Sequence, residues 1–187
     1  MIDDIAILDD ETRPRAPKIA GATDAHRAHG RRLRLFHHAH IHQLAQLRRV
    51  IEALARGEGD EAEVAARASS LAMAENYRRF GALCGHECQM LTLHHMIEDQ
   101  EIFPRLAASG SEGLRKVVAR LAKEHETVHA LLVRLEEAAV ALLRAPAPER
   151  VEAVRVVFEA LERVVLSHFG YEERELEEAL GYHGVAL

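Results

Sequence analysis

Apolar residues recur at alternating spacings of three and four along the second half of the chain, which is the pattern of helices that bury one face. One such seam lies in residues 112–144 and consists of Leu114, Val118, Leu121, His125, Val128, Leu132, Leu135, Ala139 and Leu142. A second lies in residues 149–180 and consists of Val151, Val154, Phe158, Leu161, Val165, His168, Glu172, Glu175 and Ala179. Seams of this kind pack into left-handed bundles, in which short loops join antiparallel neighbours. No useful stretch alternates with the period of a β-strand, so the sequence predicts an all-α fold.

Glycine and proline mark the ends of four predicted helices, which occupy residues 24–56, 61–108, 112–144 and 149–180. The last two loops are short: Ser109-Gly110-Ser111 forms a turn and Ala145-Pro146-Ala147-Pro148 forms a link. Residues 1–20 contain Pro14 and Pro17 and show little periodicity. We therefore expect a loose N-terminal arm over residues 1–20, a bundle domain over residues 21–182 and a tail over residues 183–187.

Polar residues interrupt the predicted seams. The first helix has a seam of its own, Leu33, His37, His40, Leu44, Leu47, Ile51 and Leu54, in which two histidines stand at buried positions. In the fourth helix Glu172 lies on the seam and Glu173 lies one step off it. A buried imidazole or carboxylate is costly unless it is paired or binds a metal. These positions predict a polar site inside the bundle.

Three pairs have the i,i+4 spacing that places two side chains on one helix face, namely His94 with Glu98, His125 with His129, and His168 with Glu172. The point midway between the first two pairs falls near residue 111, and the point midway between the last two falls near residue 148. Both points are predicted turns, so antiparallel hairpins would bring all three pairs to one level. The same count leaves surplus residues between the first two helices, which predicts an extra short helix over residues 61–75.

Composition narrows the choice of partners. The 187 residues include 13 histidines and carry a formal net charge of −6. Basic residues form only short pieces such as Arg31-Arg32, which argues against a nucleic-acid partner. No apolar run reaches the roughly 18 residues that cross a membrane. Cys84 and Cys88 lie four apart on a predicted helix, a geometry that disfavours a disulfide, so we expect a cytoplasmic protein in which both are small buried residues.

Seven inward residues form the predicted metal site: His37, His94, Glu98, His125, His129, His168 and Glu172. Imidazole and carboxylate ligands suit iron, manganese or zinc. Seven donors are too many for one tetrahedral zinc ion, whereas two ions bridged by the carboxylates would use them all. Since the ligands must be deprotonated, acid should release the metal.

The motifs around these residues resemble those of the hemerythrin-like HHE cation-binding proteins. The string His94-His95-Met96-Ile97-Glu98-Asp99, followed by Ile102-Phe103-Pro104, looks like the HHxxED…FP signature of that family. Glu124-His125 with His129, and His168-Phe169-Gly170-Tyr171-Glu172-Glu173, look like its third-helix and fourth-helix motifs. The resemblance covers about residues 25–182.

The resemblance implies an up-down antiparallel four-helix bundle that holds two non-haem iron ions joined by an oxo or hydroxo group (Fe–O–Fe or Fe–OH–Fe). His37 and His94 would bind one iron, and His125, His129 and His168 would bind the other. Glu98 and Glu172 would bridge the two ions. One iron would keep an open position for O2, peroxide or nitric oxide, and no oligomeric state is implied.

Several alternatives stay open at this point. His40 competes with His37, and Glu173 competes with Glu172, because the marine-worm oxygen carriers place an Asp at i+5 where this chain has Glu at both i+4 and i+5. His95 and Asp99 form a further i,i+4 pair that reads as an outer hydrogen-bonding pair or as surface, and His86 lies two turns before His94. A histidine-rich ligand set favours reversible O2 binding over a peroxidase or oxidase, with an iron, oxygen or nitric oxide sensor as a third hypothesis.

Overall fold

Helices form all of the regular secondary structure in the part of the chain that this computed structural model describes, which is residues 10–58 and 91–187 together with residues 8, 60, 62, 65 and 66. After a 3-10 turn at Asp10–Thr12, the helices are α1 (Asp24–Gly30), α2 (Leu33–Ala55), α3 (Leu91–Ile97), α4 (Phe103–Ser109), α5 (Glu112–Arg144) and α6 (Pro148–Tyr182). A π-helical segment, Glu98–Ile102, joins α3 to α4 without a break. Within the described residues, α2, the continuous α3–α4 segment, α5 and α6 form four helical rods, and the expectation of an all-α fold is confirmed.

Short local signals set the starts of the two longest helices. α5 begins after Ser111, whose hydroxyl accepts a hydrogen bond from the Leu114 N–H at 3.2 Å. α6 begins at Pro148, because a proline in the first turn of a helix gives up no intrahelical hydrogen bond. The bounds of α5 are those predicted for the third helix, and α6 extends slightly beyond the predicted fourth helix at both ends.

The predicted first helix is divided in two, because Arg31 and Arg32 separate α1 from α2. α1 packs against α6 so closely that a Cβ added to Gly30 would lie 2.0 Å from the carbonyl oxygen of Glu177. Gly181 makes the matching approach from α6, with 2.0 Å between its added Cβ and the carbonyl oxygen of His26. These two glycines allow the backbones of α1 and α6 to touch.

The core of the bundle consists of two apolar clusters with a polar layer between them. On each rod the layer lies between a residue of one cluster and a residue of the other: Leu44 and Leu33 on α2, Leu91 and Ile102 on the α3–α4 rod, Val128 and Leu121 on α5, and Val165 and Leu176 on α6. The apolar clusters hold the rods together on both sides of the layer, so the polar side chains are fixed by packing above and below them.

The N-terminal arm (residues 10–19) lies against the bundle instead of being loose. The Ala16 N–H donates a hydrogen bond to Glu175 at 2.8 Å, and the Ile19 N–H donates to Glu178 at 3.1 Å. The Tyr171 hydroxyl donates to the carbonyl oxygen of Pro14 at 2.7 Å. Acceptors on α6 thus bind backbone N–H groups of the arm, which the sequence pattern alone did not indicate.

Several sequence-based expectations lie outside the described residues. They concern His86, Cys84 and Cys88, and nearly all of the extra short helix expected over residues 61–75. Among the helices that the structure does describe, none combines the length and the apolar character needed to cross a membrane.

Candidate metal centre

Two groups of potential metal ligands occupy the polar layer. One consists of His37, His94, Glu98 and Glu172, and the other of His95, His125 and His168. Within each group the ligand atoms all lie within 4.8 Å of one another. Each group is therefore close to the size of a metal coordination sphere, in which atoms about 2 Å from one ion lie up to about 4 Å apart.

The second group places two imidazole nitrogens close enough to bind one metal ion. The Nε2 atoms of His125 and His168 are 3.1 Å apart. The Nδ1 of His125 lies 2.9 Å from Asp99, and the Nδ1 of His168 lies 3.2 Å from Glu124. Since both carboxylates accept hydrogen bonds, each neutral ring carries its proton on Nδ1 and turns a lone pair towards the other ring. A metal ion bound to both Nε2 atoms would turn this repulsion into coordination.

Glu98 and Glu172 each reach both groups. The Glu98 oxygens lie 3.2 Å from the Nε2 of His94 and 3.6 Å from the Nε2 of His125. The Oε2 of Glu172 lies 3.3 Å from the Nε2 of His37 and 3.8 Å from the Nε2 of His168. A carboxylate that contacts one imidazole from each group stands where a ligand bridging two metal ions would stand.

Most of the described residues' buried polar atoms without a hydrogen bond belong to these two groups, where two pairs of them face each other at 3.2 and 3.3 Å. They are Nε2 of His37, His94 and His95, both carboxylate oxygens of Glu98, and Oε2 of Glu172, together with Nδ1 of His40. A buried polar atom without a hydrogen-bond partner costs about 1–3 kcal/mol. Six such atoms that converge on one layer fit bound metal, because coordination would satisfy all of them.

The sequence of the chain also identifies its family. The model of the family described as Hemerythrin HHE cation binding domain matches residues 28–180. The chain belongs to this family. No curated protein and no solved structure matches the chain. The family description and the two groups of ligands agree that this HHE domain is a metal-cation-binding bundle.

The structure brings six of the seven predicted ligands of the HHE domain together. His37, rather than His40, belongs to the first group, and Glu172, rather than Glu173, faces the layer. The seventh residue, His129, is exposed on α5 and belongs to neither group. The seam explains this position, because the buried residues there are Val128 and Leu132.

His95 groups with His125 and His168, where the sequence predicts His129. Its side chain is buried, and its ring stacks on that of His125 with centroids 3.9 Å apart and planes 7° apart. The signal for His95 was present in the sequence, because Leu91, His95, Glu98 and Ile102 continue a three-four seam on the α3–α4 rod. The i,i+4 pairing of His94 with Glu98 instead favours His94, the neighbouring residue.

Three carboxylates orient the histidines from outside the layer. Glu173 lies 2.9 Å from the Nδ1 of His37, and Asp99 and Glu124 bind the Nδ1 atoms of His125 and His168. Metal-binding histidines usually have such partners, which fix the ring and direct the other nitrogen at the metal. Asp99 therefore acts as an outer hydrogen-bonding partner, although its partner is His125 and not His95.

Burial and mutual charge set the protonation of the site. Burial and the charge of Glu172 raise the pKa of Glu98 well above its usual value. Burial alone would raise the pKa of Glu172 too, but His37 and the other imidazoles outweigh it and lower that pKa. Burial lowers the pKa of both His94 and His95 well below the usual value. Both rings are neutral at neutral pH, which is the form that binds metal.

Glu124 carries a full charge next to the second group. Burial would raise its pKa, but hydrogen bonds from His168, Arg13 and Arg120 outweigh that effect and lower the pKa to about 2. Burial lowers the pKa of His168 in spite of this carboxylate. At neutral pH the pair is thus an ionised carboxylate that accepts a hydrogen bond from a neutral imidazole.

A cavity of about 360 Å³ adjoins the first group. His94, Glu98 and His40 line its inner part, and mainly aliphatic and aromatic side chains, among them Phe36 and Ile97, line the remainder. Phe36 and Ile97 are partly exposed to solvent, so they lie at its mouth. The cavity connects the surface with the first group through an apolar passage.

Proposed function

We propose that this HHE domain holds two non-haem iron ions and reversibly binds a small ligand such as O2, peroxide or nitric oxide. The observation that carries the proposal is the pair of carboxylates, Glu98 and Glu172, that join two groups of histidines. His37 and His94 would bind one ion, and His95, His125 and His168 the other. The proposed fold is the up-down antiparallel bundle of the four rods, with a short extra helix between the first and the second.

Two ions fit the donor set better than one. A single tetrahedral ion uses four ligands, which would leave three buried donors of this set unsatisfied. With two bridging carboxylates, every donor of the set binds metal. The preference for iron over manganese or zinc rests on the likeness to the hemerythrin motifs, since imidazole and carboxylate bind all three.

The ion of His37 and His94 is the one with room for an added ligand. It has two histidines, whereas the other ion has three, so fewer protein donors surround it. The cavity of about 360 Å³ reaches His94 and Glu98 on this same side. When bound, the ions would supply the electrons that an oxidising ligand takes up. The apolar walls of the cavity admit small neutral molecules and disfavour charged ones.

Metal analysis with optical spectra tests the proposal on freshly purified protein. We expect two iron ions per chain and, after anaerobic reduction, a charge-transfer band that appears with air and disappears on deoxygenation. Zinc alone, or no metal, would refute the di-iron site. Rapid irreversible oxidation on contact with air would refute reversible binding and leave the metal site intact.

The size of the cavity favours a second candidate function, which is the consumption of peroxide or the oxidation of a small organic substrate. One water-sized ligand occupies about 30 Å³, so a cavity of about 360 Å³ has space for more than a diatomic ligand. Steady consumption of hydrogen peroxide by the iron-loaded protein, lost in His125→Phe and retained in His129→Phe, would support the enzyme. Equal rates in both variants would count against it.

A further inference from the structure

Arg13 connects the N-terminal arm to the polar layer. The residue precedes the stretch that matches the family, residues 28–180, yet its side chain is only 2% exposed. Its guanidinium donates two parallel hydrogen bonds to Glu124, from Nε to Oε1 and from Nη2 to Oε2, both at 2.8 Å. A planar guanidinium that binds both oxygens fixes the orientation of a carboxylate as well as its charge.

Glu124 in turn binds His168. Its Oε2 lies 3.2 Å from the Nδ1 of His168, whose Nε2 faces the second group of ligands. The chain of contacts therefore runs from Arg13 through a single carboxylate to an imidazole of the metal site. All three side chains are buried.

We propose that Arg13 is a positioning residue for His168. It holds Glu124 in the orientation in which Oε2 accepts the Nδ1–H of His168, and this hydrogen bond keeps the Nε2 lone pair directed at the metal. The proposal rests on the metal-binding function proposed above. It assigns to the arm a part in metal retention at the His95, His125 and His168 group.

Arg120 does not replace Arg13 in this arrangement. Its Nε donates to Oε1 of Glu124 at 2.8 Å, on the oxygen away from His168. It is also partly exposed to solvent. Of these two arginines it is Arg13 that binds Oε2, the oxygen that accepts from His168. Without Arg13 the carboxylate keeps Arg120 on Oε1 and His168 on Oε2, but no guanidinium then spans both oxygens to fix its orientation.

The docked arm sets the position of Arg13. Arg13 itself also binds Asp10 at 2.6 Å and the Ser167 hydroxyl at 3.0 Å. Further along the arm, the Pro14 carbonyl and the Ala16 N–H are bound by side chains of α6. Because linkage is reciprocal, an arm that strengthens metal binding is itself held more firmly when metal is bound.

Release of iron to a chelator tests the proposal with the 187-residue chain loaded with iron(II) under anaerobic conditions. Loss of an outer partner of a metal-binding histidine typically weakens metal binding by about 10–100-fold. Arg13 acts through that partner, so in Arg13→Gln we expect one of the two ions to be released about 10-fold faster, the lower end of this range, while the other keeps the wild-type rate. Arg13→Lys keeps the positive charge with a single hydrogen bond, so its rate of release should lie between that of the wild type and that of Arg13→Gln.

Glu178→Ala is the matched control. It removes the acceptor of the Ile19 N–H and so loosens the arm, but it leaves the contact between Arg13 and Glu124 in place. We expect wild-type release of both ions. A wild-type profile in Arg13→Gln would overturn the proposal. So would equally fast release in Glu178→Ala, because the effect would then come from the arm as a whole.

Nitrogen-15 NMR of labelled histidine in the metal-free protein separates this proposal from the function on which it rests. The Nδ1–H of His168 should give a slowly exchanging signal in the wild type and in Glu178→Ala, and should lose that protection in Arg13→Gln. If the wild type takes up no metal, the proposed function fails, and the NMR signal still decides the role of Arg13. Unchanged protection in Arg13→Gln would refute that role.

Discussion

Replacement of His95 by Phe separates the site seen in the structure from the site expected from the sequence. Phenylalanine keeps the ring that stacks on His125 and removes the nitrogen that would bind metal. His129→Phe makes the same chemical change at an exposed position of α5. We expect His95→Phe to lower the metal content from two ions to one, and His129→Phe to leave it at two.

The size of the effect follows from linkage between metal binding and folding. A metal ion present at 100 times its Kd stabilises the folded state by about 2.7 kcal/mol. In a domain of this length 1 kcal/mol corresponds to about 2–4 °C in Tm. Each ion should therefore raise Tm by about 5–11 °C, and His95→Phe should lose that increment at one site.

In the metal-free protein His95→Phe should have the opposite effect on Tm. The Nε2 of His95 is buried without a hydrogen-bond partner, and such an atom costs about 1–3 kcal/mol. Phenylalanine removes this cost, so metal-free His95→Phe should melt at or above the wild-type temperature. Its metal-loaded form should melt below the metal-loaded wild type.

Thermal melts followed by circular dichroism, with and without iron(II) under anaerobic conditions, measure both effects alongside the metal count. The reasoning is refuted if His95→Phe keeps two ions and the full metal-dependent rise in Tm. It is refuted more directly if His129→Phe loses an ion, since an exposed residue outside both groups would then be a ligand.

Three further predictions follow from other parts of the molecule. Metal uptake should release protons below neutral pH, because burial raises the pKa of Glu98 and the carboxylates of Glu172 and Glu173 raise the pKa of His37 in spite of burial. Metal affinity should therefore increase with pH. Calorimetry that gives the same heat in two buffers of different ionisation enthalpy would contradict this. Gly30→Ala should destabilise the protein by about 1–3 kcal/mol in urea titrations, since its Cβ would meet a carbonyl oxygen of α6. Gly170→Ala, with no atom near its added Cβ, should stabilise the protein by about 0.5–1 kcal/mol. Equal effects of the two substitutions on stability would argue against the close contact between α1 and α6. Leu93→Trp should narrow the cavity beside the first group. The substitution should slow ligand binding in stopped-flow traces without changing the iron count. An unchanged rate of ligand binding would show that ligands enter elsewhere.

The seams predicted most of the fold because burial in a helical bundle depends mainly on the spacing of apolar residues. Every residue of the predicted α2 seam is buried in the structure, and so is every residue of the α5 seam. The Ser-Gly-Ser turn before α5 and the proline link before α6 also lie where the sequence placed them. Their signals are local, namely a capping hydroxyl and a proline, so no tertiary information was needed.

The residues of the polar layer were predicted less completely than the fold, because two rules gave different answers on α5. The i,i+4 pairing and the likeness to the family motif favoured His129, whereas the seam favoured Val128 and Leu132 at that level. The structure follows the seam. A side chain one step from the buried face is turned about 100° away from it, and no motif compensates for that angle.

The sequence pattern does not predict contacts between distant parts of the chain. Nothing in the periodicity places Arg13 beside Glu124, since the two residues are joined by a hydrogen bond between the arm and the middle of α5. The close approach of α1 to α6 is similar, because a glycine such as Gly30 reads as a helix end until its neighbour on α6 is known. Both features depend on tertiary geometry, which composition and spacing do not contain.

The π-helical segment makes the length of the α3–α4 rod as important as its residues. The N–H of Phe103 binds the carbonyl oxygen of Glu98 five residues earlier, so this turn holds one residue more than a regular α-turn. Deletion of one exposed residue here, such as Gln100, would restore a regular helix and rotate the residues on one side by about 100° relative to the other. His94 and His95 would then face away from their present partners while every ligand was still present in the sequence. In an alignment with a relative whose equivalent of the α3–α4 rod is a regular α-helix, a one-residue gap should therefore lie between Ile97 and Phe103.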